Sequence, residues 1–162
     1  MANDLQVFAD YYQIHVLDEG SDAGLGEVWT EQALLDGLGV AHDALVIGTA
    51  VNVDVAVRVD LLGGEPGGDS SEFDHVVEAS LHVPSGCLVV MGCTDYLPEA
   101  PRFEAPAGWI RVRASRRNLA SAVRADIESD ESSETIEQLR LQAWAAPQTA
   151  PQIIRRWSRP AA

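Results

Sequence analysis

The sequence predicts an all-β fold, an antiparallel β-sandwich of about seven to eight strands with one short helix. Three observations carry that expectation. Val51, Val53, Val55, Val57, Val59 and Leu61 alternate with Asn52, Asp54, Ala56, Arg58 and Asp60, a period of two on β-branched residues that gives a strand one buried and one wet face. Glycine, proline and serine clusters break the chain at Gly63 to Gly68, Pro84 to Gly86, Pro98 to Gly108 and Asp126 to Glu134, spacings typical of sandwiches and barrels. Hydrophobic residues make up 46% and charged residues 22% of 162 positions, enough apolar surface for one core. A single sandwich domain over residues 1–162 is therefore expected.

Taken in order, Val7 to Leu17 reads as an opening strand, with Tyr12, Ile14 and Val16 opposite Gln13 and His15. Glu31 to Asp36 is the short helix, capped by Thr30 and stopped at Gly37. Ala44 to Ile47 and Val51 to Leu61 are strands, and Gly63 to Gly68 is a hairpin loop. Phe73 to Val83 and Cys87 to Cys93 follow, with Pro84-Ser85-Gly86 expected to join them as a hairpin. Trp109 to Ala114 sets Ile110 and Val112 opposite Arg111 and Arg113, and Gln138 to Trp144 closes the fold. The acidic, serine-rich segment 126–134 is expected as a mobile surface loop. The Pro-rich tail 147–162 is expected to run extended, with its apolar residues packed on the domain.

Charge is unevenly placed. Residues 1–81 hold sixteen carboxylates against Arg58 alone, whereas residues 82–162 hold nine against ten arginines, within a net charge of -14. The first half would repel phosphate backbones, so no nucleic-acid binding is expected, and it would attract a basic protein. Every basic residue is arginine. Schiff-base chemistry, a Ser-Lys dyad and a phosphate-loop lysine are thereby excluded. No apolar run is long enough for a membrane span, and the N-terminal residues lack a secretion signal, so a cytoplasmic protein away from membranes is expected. Cys87 and Cys93 lie about 20 Å apart in an extended strand and read as reduced, buried thiols.

Candidate sites weigh towards structure. Asp74, Glu78 and His82 share one face of a strand, but at some 13 Å spacing they cannot share an ion and read as solvent-face groups. His75 is placed at the rim of the core, His15 and His42 are isolated, and Cys87 falls on the face of Val89 and Met91 as a packing residue. The cluster Arg111, Arg113, Arg116 and Arg117 is expected to pair with acids of neighbouring strands. Trp29, Trp109, Trp144 and Trp157 read as core or rim packing. No catalytic, metal or cofactor set emerges, and the chain is not expected to be an enzyme.

The order of parts resembles small bacterial β-sandwich proteins, the ComJ-like competence nuclease inhibitors. The resemblance rests on Tyr11 to Val16, Trp29 with the short helix, Asp43 entering the long alternating strand, and the turn Pro84 to Gly86. It continues through Gly108 to Arg113 and the closing Leu139 to Pro147. It implies an acidic protein that binds and inactivates a nuclease. The first expectation is therefore a protein-binding module, an acidic inhibitor or immunity protein of a basic nuclease or toxin. Its partner-binding face would lie near Asp54, Asp60, Asp74 and Glu78. The alternatives are a small-molecule-binding protein with a cavity between its sheets, and a structural homodimer.

Overall fold

The valine alternation folds as a strand, but from Asp54 to Leu61, and it lies inside the larger of two β-sheets. A computed structural model describes residues 2–160. In chain order the strands are β1 (Ala2–Phe8), β2 (Gln13–Asp18), β3 (Leu38–Val40), β4 (Ala44–Gly48), β5 (Asp54–Leu61) and β6 (His75–Val83). They continue with β7 (Cys87–Gly92), β8 (Arg102–Glu104), β9 (Gly108–Arg117), β10 (Gln138–Ala145) and β11 (Gln152–Arg155). One sheet runs β1-β5-β10-β9-β6-β11 and the other β3-β4-β2-β7-β8.

The mostly-β expectation holds, while the strand count rises to eleven among the described residues. The added strands are short pieces such as β3, β8 and β11, too brief for a period of two to register. Pairing is antiparallel except between β10 and β5. That exception follows from topology: β10 enters between β5 and β9, and by running against β9 it runs along β5.

One apolar cluster fills the space between the sheets. Val55, Val57, Val59, Leu81, Ile110 and Leu141 from the larger sheet meet Ile14, Val16, Leu45, Ile47, Leu88 and Val90 from the smaller. All are at most 2% exposed. A second, smaller cluster of Leu17, Ala44, Val89, Met91 and Ala100 covers the other face of the smaller sheet. Both faces of β7 are thus apolar, and the inter-sheet core takes Leu88 and Val90, not the Val89 and Met91 face on which Cys87 lies.

Three expected connections are corrected. Val7 to Leu17 is two strands in different sheets, because Tyr11 and Tyr12 both adopt positive φ (57° and 60°) and turn the chain across. Pro84-Ser85-Gly86 is no hairpin. It carries the chain from β6 in one sheet to β7 in the other, with Gly86 at φ 69°, and the Asp18 carboxylate accepts from the Ser85 N–H and hydroxyl at 3.1 and 2.6 Å. Gly63 to Gly68 is not a hairpin either, since β10 and β9 stand between β5 and β6. Where β7 ends, Gly92 passes so close to the Phe8 carbonyl that any side chain there would collide with it.

The short helix α1 (Glu31–Asp36) forms as expected, with the Thr30 hydroxyl accepting from the Ala33 N–H at 3.1 Å and Gly37 left-handed at φ 65°. A second helix, α2 (Leu119–Ala125), was not expected. Its first N–H is taken by Asp74, a cap 45 residues away in sequence. The acidic segment also carries structure: Asp126–Glu131 is a 3-10 helix, with Ser129 buried and Asp130 accepting from the Asp54 N–H. The tail is extended as β11, which pairs with β6 through a register shift.

Candidate functional site

Alternation along β1, β5, β10, β9 and β6 sends valines, leucines and isoleucines into the core and polar residues to the opposite, outer face of the larger sheet. That outer face divides into two halves.

Over β6 and β9 the chain covers its own charges. Glu78 is 5% exposed, and both its oxygens are engaged: Arg111 Nε donates to Oε1 at 2.9 Å and Arg113 Nε to Oε2 at 2.6 Å. The remaining guanidinium groups reach the carbonyls of Thr149 and Ala150 in the tail and of Gly67 in the glycine-rich loop. Ser80 closes the network by accepting from the Thr149 N–H at 2.9 Å. Trp144, 4% exposed, lies beneath the Arg113 guanidinium. This half is a sealed structural network.

Over β1, β5 and the start of β10 the face is open. A groove of about 540 Å³ runs between Asp4, Arg58, Asp60, Asp69, Phe73 and Arg140. A second, of about 640 Å³, adjoins it through Glu72, Arg117 and Gln138 and extends to Asp74 and Glu134. Arg140 makes a bidentate pair with Asp69, both contacts at 2.7 Å, and stacks over Phe73 at 4.4 Å. The same arginine holds the Asp69 carboxyl below the usual carboxylate range. Arg58 leans towards Asp60 at 3.3 Å and Asp4 at 3.9 Å, and Arg117 donates to Gln138 at 2.6 Å. The walls carry six carboxylates against these three arginines. Arg58 and Arg140 pair with carboxylates and Arg117 with the Gln138 amide, while Glu72, Asp74 and Glu134 have no ion-pair partner among the described residues, so with six carboxylates to three arginines the open half presents excess negative charge.

The four expected partner-binding residues separate. Asp60 lines the first groove and Asp74 the second, where it also caps α2. Asp54 lies at the start of β5, opposite Phe8. Glu78 is corrected from a solvent-face group to a buried ion-pair centre. Asp4, Arg58, Asp69, Glu72 and Arg140 carry no site role in the sequence reading, and Arg117 only one as an acid-pairing residue. Alternation with Val57 and Leu139 marks Arg58 and Arg140 as outward, but nothing local places Asp69 beside Arg140.

Three arginines of the cluster pair with acids as expected, though in burial, Arg111 and Arg113 with Glu78 and Arg116 with Glu137, while the exposed Arg117 donates to the Gln138 amide oxygen instead. Arg116 points to the inner side, its Nε donating to Glu137 at 3.1 Å. Glu137 is fully enclosed and also accepts from the Ala50 N–H at 2.7 Å; burial pushes its pKa up while Arg116 draws it back. His75 is buried beyond a rim position. Its Nε2–H donates to the Asp36 carbonyl at 2.6 Å and Nδ1 accepts from the Trp157 N–H at 3.0 Å, which fixes a neutral tautomer. Burial, with Arg116 and Arg156 nearby, lowers its pKa. His42 is not isolated, since its ring meets His82 at 4.9 Å and Trp109 at 5.5 Å. Cys87 and Cys93 are free and half-buried rather than buried, with thiol pKa values raised first by desolvation.

The space between the sheets is occupied by fully buried aliphatic side chains, and both grooves lie on the outer face. Among the described residues, no group of three or more His, Cys, Asp or Glu side chains could hold a metal ion, and no helix is long and apolar enough to cross a membrane.

Comparison with solved structures places this arrangement. ComJ of Bacillus subtilis, an inhibitor of the DNA-degrading activity of NucA, superposes with a TM-score of 0.66 at 14% identity, over 89% of this chain and 96% of its own. The fold is ComJ-like. The product of crocagin biosynthetic gene J superposes with a TM-score of 0.58 at 18% identity, over 88% of this chain and 96% of its own. No family model and no curated protein matches the sequence. At these identities what the chain shares with both structures is the fold.

Proposed function

We propose that this ComJ-like protein is a binding module for a basic protein, an acidic inhibitor or immunity protein of a nuclease or toxin, and not an enzyme. The observation that carries the reading is the open, negatively charged half of the outer face, on a fold shared with a nuclease inhibitor. Carboxylates so displayed resemble a phosphate array to a nuclease's basic cleft and speed encounter with it. Asp60 and Asp74, with Asp4, Asp69 and Glu72, are the proposed contact residues. Asp54 is assigned to the margin of this surface and Glu78 to its support. The proposed setting is the cytoplasm, where both thiols stay reduced.

The test is affinity capture from host lysate at low and at high salt, followed by a DNA-cleavage assay on the captured fraction. A basic protein retained at low salt and released at high salt, whose DNA cleavage falls on re-addition of this protein, is the expected result. Absence of any salt-sensitive basic partner overturns the proposal.

A further inference from the structure

The two sheets have four edge strands, and three are poor templates for another strand. β3 and β8 are three residues long, and β11 has four residues with a register shift against β6. Short or irregular edges of this kind are how proteins avoid strand addition. β1 is different: seven residues pair with β5 in unbroken register, from Ala2↔Asp60 to Phe8↔Asp54.

The hydrogen-bond phase of that ladder identifies which backbone groups remain free. The Ala9 N–H donates to the Val53 carbonyl at 3.0 Å, and the Ala56 N–H points the other way, to Glu137 ahead of β10. By the alternation of an antiparallel ladder, the odd residues Asn3, Leu5 and Val7 face β5 with their N–H and C=O groups. The even residues Asp4, Gln6 and Phe8 therefore direct theirs to the open edge, where no described residue meets their N–H groups. The far end is closed at the Phe8 carbonyl, against which Gly92 packs.

The side chains beside this edge define what would fit it. Asp4, Gln6 and Phe8 project on the outer face, with Asp4 78% and Phe8 43% exposed. Asp4 lines the acidic groove together with Arg58 and Asp60. Leu5 projects towards the core and is only partly buried. We propose that β1 accepts an extended basic segment of the partner protein as an added strand of the larger sheet. The segment carries arginine or lysine beside Asp4 on the outer side and an aliphatic residue beside Leu5 on the inner side. This rests on the protein-partner reading above and specifies how the partner docks.

The probe is a blocked heptapeptide alternating valine with arginine, titrated calorimetrically and followed by amide hydrogen exchange. Binding should slow exchange at the Asp4, Gln6 and Phe8 amides, while those of Leu5 and Val7, already bonded to β5, change little. N-methylation of alternate peptide amides should weaken binding at least about tenfold. Replacing the arginines by glutamate should do the same. Gln6→Pro removes one outward N–H and none of the β5 ladder, a position where edge strands tolerate proline; it should abolish the exchange protection with little change in melting temperature. If Gln6→Pro fails to fold, the N-methylated peptide on the native chain decides. Equal binding of the methylated peptide, or no protection at the three amides, overturns the proposal, as does dimerisation through β1 seen by light scattering without peptide. A basic protein captured equally by the native chain and a folded Gln6→Pro variant would remove the strand addition and leave the proposed function standing.

Discussion

The two halves of the larger sheet's outer face use the same side chains to opposite ends. Over β6 and β9, Glu78, Arg111 and Arg113 are closed under residues of the tail and the glycine-rich loop. Over β1 and β5, Asp4 and Arg58 stand open with Asp60 half-buried beside them. A carboxylate beside arginine is thus structural or available according to what the chain lays across it. Burial makes the first set strong and intolerant of change, because an unpaired charge there has no water to turn to. Exposure makes the second set weak in stability and useful for steering a partner.

The sharpest way to break this comparison is Glu78→Gln, which leaves the buried Arg111 without a counter-charge and Arg113 with only the exposed, more distant Glu65. Since Glu65, itself exposed, remains 3.9 Å from Arg113, the expected loss of stability is about 3 kcal/mol in urea denaturation; a change within about 0.5 kcal/mol would mean the covered half is solvated after all. On the open half, the combined change Asp4→Asn, Asp60→Asn and Glu72→Gln should weaken capture of a basic partner about tenfold at low salt. It should flatten the salt dependence and leave the denaturation midpoint nearly unmoved. Undiminished capture would shift the binding face elsewhere. Asp69→Asn tests the boundary between the halves, since its pair with Arg140 is bidentate but partly exposed; a loss of about 0.5–1 kcal/mol is expected.

The smallest effect is a pH drift from His75. Its folded pKa lies below the ordinary value of about 6.5, so the unfolded chain binds the proton more readily. Its contribution is therefore present above about pH 6.5 and is lost as pH falls through the folded value. Protonation places a hydrogen on Nδ1 against the Trp157 N–H, beside Arg116 and Arg156, with Asp36 the opposing charge. Denaturation midpoints across that range should fall, and fall less in His75→Gln.

The parts of the fold that depend on neighbours in sequence were readable directly. Strand β5 follows from six alternating apolar residues, and α1 from Thr30 and Gly37 at its ends. Helix α2 was not readable, because Asn118 starts it in a left-handed conformation and its cap, Asp74, comes from a distant strand end. The turn at Pro84 to Gly86 looked like a hairpin because a tight turn has the same composition whether it pairs its strands or passes them to different sheets. Glu78 looked exposed for a related reason: a period of two separates the faces of a strand but does not say whether a face meets water.

The sequence by itself determined that this is a mostly-β chain with an acidic first half, no lysine chemistry and arginines awaiting carboxylate partners. Only the tertiary structure decided which carboxylates those partners are, which half of the sheet stays open and which edge strand is left unpaired. Composition and periodicity act over a few residues. Burial of a charge or coverage of an edge depends on segments brought together from 30 or more residues away, as Glu78 with Arg111 and Arg113 and Asp69 with Arg140 demonstrate.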